Sequence, residues 1–444
     1  MKVLVLVDGE HYPPVTRWGI EVARAQGYEA VAALLVGGIE KLEAGGRTPS
    51  LGVPLRRAGD DVAAALGLAI DDLRPEGVLD LADEPVLGYR ERMELAAVAL
   101  VRGVPYLGPD FRFEPPIAGP PLAVPTLAVI GTGKRTGKTA IAGEVARVAA
   151  AMQANPVVVA MGRGGPSEPR VAPAGSVRLD RLLELVRGGE HAASDYLEDA
   201  LTTGVTTVGA RRAGGGLAGA PMATNVREAA EVALGLGPGL VVLEGSGSAV
   251  PPVPWDAGVL VVPATAPPEY LGGYLGPYRL LLSDLVVLTM ANSPHAGPEN
   301  ILALRSHVQR LRGDARLIVT DFEPHPLGDV RGKDVFFATT APEAAAAGQI
   351  ESLEAAHGCR VVGWSARLAD RAGLAEDMDD AEGYEVLLTE LKAAAVDVAC
   401  AAALARGAGI VFVDNRAVVV EGDTDIRTAL RETIDLARQR RAHR

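Results

Sequence analysis

Residues 127–140 read Leu127-Ala128-Val129-Ile130-Gly131-Thr132-Gly133-Lys134-Arg135-Thr136-Gly137-Lys138-Thr139-Ala140. A short apolar run of buried-strand type breaks into a glycine-rich turn, and a helical pattern follows from Lys138 through Met152. Such a turn lets consecutive backbone N–H groups wrap phosphate oxygens while the helix N-terminus adds its dipole. Gly131, Thr132, Gly133, Lys134, Arg135, Thr136, Gly137, Lys138, Thr139 and Ala140 are therefore the candidate ATP-binding residues. Lys138 would bridge the β- and γ-phosphates, and Thr139 would ligate Mg²⁺. The first Gly of the pattern G-x-x-x-x-G-K-[ST] falls on Thr132, with Gly131 and Gly133 on either side. Lysine is scarce, with six in 444 residues, and two of the six, Lys134 and Lys138, lie in this turn.

Upstream, short apolar runs at Val3–Val7, Ala30–Val36, Gly77–Leu81 and Tyr106–Leu107 alternate with helical patterns, which suits parallel strands joined by crossover helices. Prolines in Glu114–Pro121 permit neither a helix interior nor a central strand. Downstream, buried-type runs recur at Val157–Met161, Leu240–Leu243, Val259–Val262, Leu285–Leu288 and Leu317–Val319. The expected architecture is α/β. A doubly wound Rossmann-like domain over 1–114, read as acceptor binding, leads through a Pro-rich linker over 115–124 to a P-loop parallel-sheet domain over 125–350. A C-terminal α/β extension over 351–444 would hold a long Ala-rich helix from about Gly383 to Arg406, strands at Ile410–Val413 and Ala417–Glu421, and a terminal helix.

Composition narrows the function. Hydrophobic residues at 48% and charged residues at 22% describe a globular chain, and a net charge of −13 argues against nucleic-acid binding. Any anionic ligand needs a local pocket of cations. The two cysteines, Cys359 and Cys400, offer no disulfide framework and suit a reducing cytoplasm. No run of eighteen apolar residues spans a membrane, and Met1–Asp8 lacks the pattern of a secretory signal.

Other candidates follow strands. Glu244, in Glu244-Gly245-Ser246-Gly247, would stand beside the phosphate loop as a second Mg²⁺ ligand. Arg163, after Val157–Met161, joins Lys134 and Lys138 as a catalytic cation. Arg211 and Arg212 precede the run Gly214-Gly215-Gly216 and could grip an anionic substrate bidentately. Asp8 and His11, after the first strand, and Arg90, in the first turn of a helix, are the substrate-binding candidates of the first domain. Ser246, Ser248 and Ser365 form no recognisable triad with a histidine.

The loop from Gly131-Thr132 to Gly137-Lys138-Thr139, together with Glu244-Gly245-Ser246-Gly247, resembles the dethiobiotin-synthetase-like class of P-loop proteins, which often place a second lysine on phosphate. The order of motifs resembles the cyclic 2,3-diphosphoglycerate synthetase family over essentially the whole chain. It runs from Val5-Leu6-Val7-Asp8-Gly9-Glu10-His11-Tyr12-Pro13-Pro14 through the phosphate loop and Arg211–Gly216 to Phe337–Pro342, Glu390–Ala395 and Asp414-Asn415. That resemblance implies a cytoplasmic, ATP- and Mg²⁺-dependent ligase that closes 2,3-diphosphoglycerate through an intramolecular phosphoanhydride, releasing ADP and phosphate. A homodimer is the oligomeric state common in this P-loop class. The residues by themselves leave two other readings open: a phosphoglycerate-type kinase that stops at phosphoryl transfer, and a P-loop ATPase switch that binds a protein partner.

Overall fold

The computed structural model describes residues 1–38 and 50–444. The first sheet comprises β1 (Lys2–Asp8), β2 (Glu29–Gly37), β3 (Leu55–Arg57), β4 (Gly77–Asp80), β5 (Tyr106–Leu107) and β6 (Arg112–Phe113), in the order β3-β2-β1-β4-β5-β6. All its pairs are parallel except β5 with β6. Its central strands β1, β2 and β4 have apolar interiors because helices cover both faces, with Leu4 and Leu6 in one core and Val3, Val5 and Val7 in the other. The order reverses between β1 and β4, which puts Asp8 and Asp80 at the ends of the two strands flanking that switch point.

The second sheet is built from β7 (Thr126–Gly131), β8 (Pro156–Gly162), β9 (Arg170–Ala172), β10 (Thr207–Ala213), β11 (Ala223–Thr224), β12 (Leu240–Glu244), β13 (Ala257–Pro263), β14 (Leu285–Thr289), β15 (Arg316–Pro326), β16 (Asp334–Ala338), β17 (Arg360–Ser365), β18 (Val386–Thr389) and β19 (Gly409–Glu421). Its order is β11-β10-β8-β12-β7-β13-β14-β15-β19-β18-β16-β17, with β9 on β10. From β10 to β15 the main path is parallel, so the carboxyl ends of β7, β8, β10 and β12 lie at one edge of the sheet. β19 pairs antiparallel with β15 and parallel with β18, joining a second parallel group, β19-β18-β16-β17, to the first.

Two expectations for the C-terminal region are corrected. The stretch from Gly383 to Arg406 is not one long helix: Val386–Thr389 is a buried strand, and only Ala395–Cys400, a π-helical turn, and Ala401–Ala405 are helical. Three apolar residues and a threonine carry no period that separates strand from helix, and the sheet partners β16 and β19 decide it. The expected pair of strands at 410–413 and 417–421 is one continuous strand, β19, because it pairs with β18 by its first half and β15 by its second. The terminal helix, Ile426–Ala442, turns back onto the phosphate-loop sheet, where Ile426, Leu430 and Ile434 share a core with Ile141 and Val145.

Candidate functional site

β7 delivers the glycine-rich turn to the edge where β8, β10 and β12 also end. Gly137 caps the helix Lys138–Ala151 with φ +84°, and a Cβ there would lie 2.3 Å from the Phe322 ring, so both the backbone and the space require glycine. The turn is pinned from β14, where Thr289 Oγ1 donates to the Thr136 carbonyl at 2.8 Å. Lys138 folds back into it, its Nζ donating to the Gly133 carbonyl at 2.6 Å and to Thr136 Oγ1 at 3.1 Å. Burial pulls the Lys138 ammonium down to about 8 against the attraction of Glu244 and Asp195. Phosphate oxygens arriving in the turn would replace these neutral acceptors with charged ones.

Thr139 and Glu244, expected as metal ligands, are brought together: Thr139 Oγ1 donates to Glu244 Oε1 at 2.7 Å. Glu244 is buried, and its Oε2 has no hydrogen-bond partner. Burial pushes its carboxyl up to about 7, followed by repulsion from Asp195. A buried carboxylate oxygen without a donor, next to a phosphate loop and a threonine hydroxyl, is a donor set that a hard divalent cation fits.

Three carboxylates of this cluster escaped the sequence reading. Asp195, Glu198 and Asp199 stand on the helix Asp195–Thr203. Their i, i+3, i+4 spacing puts them on one helical face, but an acidic first turn is also ordinary helix chemistry, and nothing in the sequence tells which face meets the phosphate loop. Asp199 is buried against Glu244, and burial, then the charge of Glu244 and the side-chain contact with it, drives its carboxyl well above the usual range. Glu198 is likewise pushed up by burial, to about 8, although Lys392 lies 3.1 Å away.

The arginine pair divides. Successive strand residues point to opposite faces, and Arg212 is buried with Nη1 on the Gly214 carbonyl at 2.5 Å and Nη2 on the Ser246 carbonyl at 2.8 Å. Its Nε has no partner. Arg211 faces the other way: its Nε donates to the Gly165 carbonyl at 2.7 Å, so it props the loop that carries Arg163. Arg163 lies near enough to depress the Arg212 guanidinium after burial has done so. Lys134 stands on the other side, its Cγ and Arg212 Nη2 both bordering Gly247. Among the described residues, Lys134, Arg163 and Arg212 form no ion pair with a carboxylate, although the charge of Asp195 is felt at Arg212.

The candidates of the first sheet are not brought to this cluster by any contact among the described residues. The Asp8 carboxylate is buried and already engaged, accepting from Glu10 N at 2.9 Å and Asp83 N at 2.9 Å and meeting His11 Nδ1 at 2.8 Å. Arg90 donates to Tyr89 Oη at 3.0 Å and faces Glu269 of the second unit at 3.8 Å, which leaves it at the border between the two sheets.

Comparison with known proteins bears on the whole chain. Three family models match it: the cyclic 2,3-diphosphoglycerate synthetase N-terminal domain over residues 2–114, P-loop domain over 126–321 and C-terminal domain over 326–416. A cyclic 2,3-diphosphoglycerate synthetase from Rubrobacter xylanophilus is 47% identical over 94% of this chain and 94% of its own. One from Methanothermobacter thermautotrophicus is 42% identical over 95% and 93%. Among solved structures, LpxK from Aquifex aeolicus in complex with ATP overlays with a TM-score of 0.41 at 14% identity, covering 72% of this chain and 90% of that one.

Proposed function

The chain belongs to the cyclic 2,3-diphosphoglycerate synthetase family, and from that premise we propose that its ring closure takes place at the carboxyl ends of β7, β8, β10 and β12. The enzyme uses ATP to convert 2,3-diphosphoglycerate into its cyclic phosphoanhydride. The observation that supports the location is the group of cations left without ion pairs among the described residues, Lys134, Arg163 and Arg212, by the loop of Lys138 in a chain of net charge −13. Two phosphates, a carboxylate and ATP repel one another strongly, so cations held in place before they arrive stabilise the transition state.

In the first step an oxygen of one substrate phosphate attacks the γ-phosphorus of ATP, and the bond to the β-phosphate bridging oxygen breaks, leaving ADP. In the second, an oxygen of the neighbouring phosphate attacks the phosphorus so activated, and the added phosphoryl group departs as inorganic phosphate. Neither step needs a separate base, because phosphate dianions are nucleophiles at neutral pH. Lys138 holds the β- and γ-phosphates, Lys134 and Arg163 neutralise the transferring group, and Arg212 grips the acceptor. Thr139 and Glu244 would hold Mg²⁺, which supplies neutralisation of phosphate charge. His11 and Arg90 would meet the acceptor when the first domain, residues 1–114, closes over the substrate.

The Gly131-Thr132 start of the loop and the Glu244–Gly247 segment support placing residues 125–350 in the dethiobiotin-synthetase-like class. A cytoplasmic setting accords with the free buried thiols of Cys359 and Cys400. A homodimer belongs to the same proposal, with exposed Val15, Trp18 and Val22 of the helix Pro13–Ala25 as available apolar surface and sedimentation as its test. No helix among the described residues is long and apolar enough to cross a membrane. The deciding experiment is incubation with ATP, Mg²⁺ and 2,3-diphosphoglycerate followed by phosphorus NMR. Cyclic phosphoanhydride resonances should grow in step with inorganic phosphate and ADP. ADP with a linear phosphorylated product would leave a kinase, and phosphate release indifferent to diphosphoglycerate would leave an ATPase switch.

A further inference from the structure

Arg279, on the short helix Gly276–Leu281, is 4% exposed and has no carboxylate partner among the described residues. Its guanidinium is spent entirely on backbone carbonyls. Nε reaches Ser248 O at 3.0 Å, Nη1 reaches Leu217 O and Leu275 O at 3.2 Å each, and Nη2 reaches Ser248 O at 2.6 Å and Leu217 O at 3.2 Å. Burial draws it down to about 10, which leaves it cationic at neutral pH. A buried charge without a counter-ion is expensive, and it persists only where its surroundings use it.

The three carbonyls come from three different loops. Leu217 belongs to the glycine-rich loop after β10, Ser248 to the loop after β12, and Leu275 to a turn in which Tyr274 and Leu275 both take left-handed conformations, at φ 49° and 58°. Non-glycine residues hold such angles only when neighbours over-determine them. Arg212 staples the first two of these loops from the other side, at Gly214 and Ser246. The loops meet closely: Gly219 has φ +89°, and a Cβ there would lie 2.9 Å from Ser248 O and 3.1 Å from Arg279 Nη2. Behind Arg279, Ala218, Leu275 and Tyr278 pack into a core shared with Leu95 and Tyr106 of the first sheet's unit.

We propose that Arg279 is a positioning residue for the reaction: it fixes the spacing of the loops 214–219 and 246–248 so that Arg212 is aimed at the acceptor phosphate. This rests on the reading of Arg212 as an acceptor ligand. Charge alone is not its role, because the rigid planar fork spreads five donors over three nitrogens and makes five contacts here, whereas a lysine ammonium offers three from a single atom. The test compares Arg279→Gln, Arg279→Lys, Gly219→Ala and Arg212→Lys in the full chain, with KM for each substrate, kcat and equilibrium ATP binding as readouts.

Arg279→Gln and Arg279→Lys should each raise KM for 2,3-diphosphoglycerate by about tenfold, as loss of one well-aimed charged contact would. KM and binding of ATP should stay within about twofold, since its loop is pinned separately by Thr289. Gly219→Ala reaches the same loops from the other side and should reproduce that split, which covers the case in which Arg279→Gln fails to fold. Guanidinium ion added to a folded Arg279→Ala enzyme should recover part of the acceptor affinity. Equal damage to both substrates, or full function in Arg279→Lys, would overturn the proposal. If Arg212→Lys raises the acceptor KM while the Arg279 and Gly219 variants do not, the positioning role alone fails. An unaltered acceptor KM in Arg212→Lys removes the acceptor reading and the role of Arg279 with it.

Discussion

The two parallel sheets offer the same kind of crevice at the carboxyl ends of their strands and fill it with opposite chemistry. In the first sheet the switch-point strands end in acids that are already satisfied. Asp8 is taken up by two backbone N–H groups and His11, and Asp80 by Tyr106 Oη at 2.8 Å, Arg92 Nε at 3.0 Å and Ala82 N at 3.0 Å. In the second, Lys138 makes do with neutral oxygens, Arg212 keeps an unpartnered Nε, and Glu244 an unpartnered Oε2. Topology supplies a crevice in both cases. Unspent bonding capacity marks the one built for a ligand, because buried polar groups otherwise find partners within the protein.

The sharpest way to break this contrast is Lys138→Ala. Removing the central phosphate contact should lower kcat by at least about 100-fold in a steady-state assay, with the folded structure kept. Near wild-type turnover from a folded variant would show that the unspent capacity of the second crevice is not catalytic. Arg212→Lys comes next. It retains charge but loses the fork, and the acceptor KM should rise about 10- to 100-fold with ATP affinity held. Asp8→Asn probes the other crevice. Kinetic constants should stay within about twofold while chemical denaturation loses about 1–3 kcal/mol, the cost of disturbing a buried hydrogen-bonded carboxylate. A selective rise in acceptor KM in that variant would return Asp8 to the substrate and erase the distinction between the sheets.

Much of this was legible in the residues because it depends on local chemistry. The phosphate loop, the strand ending in Glu244 and the parallel character of both sheets follow from glycine spacing and continuous apolar runs. What was not legible depends on direction. The sequence presents Arg211 and Arg212 as equals, and only the pleat of β10 turns one toward Ser246 and the other toward Gly165. Asp8 is one acid after a strand and Glu244 is another, yet the first meets Asp83 N from a segment 75 residues away and is closed by it. Arg279 carries no motif at all, since two of the three carbonyls that hold it belong to loops 31 and 62 residues away. Alanine and leucine around residues 386–405 suit either a strand or a helix, and the neighbours of β18 settle the choice.

A third set of strand ends extends the contrast. At β18, Glu390 is buried and accepts from Thr339 Oγ1 at 3.1 Å, Thr340 Oγ1 and N at 2.6 and 3.1 Å, and Asn415 Nδ2 at 2.6 Å. Burial alone would raise this carboxyl. The charge of Lys392 and the bonds from Thr340 and Asn415 outweigh it and hold the group below its ordinary value of 4.5. A carboxyl held lower in the folded state than in the unfolded one adds stability above the unfolded value, and that gain disappears as pH falls through the folded value. Glu390→Gln should therefore cost stability, about 1 kcal/mol at neutral pH, with kcat preserved. The gap from wild type should narrow as pH falls below about 4.5, measured as denaturation midpoints across an acid series. A gap that stays constant with pH would mean that Glu390 contributes through shape rather than charge. A fall in kcat would place it with the unsatisfied groups of the phosphate crevice instead of the closed acids of β1 and β4.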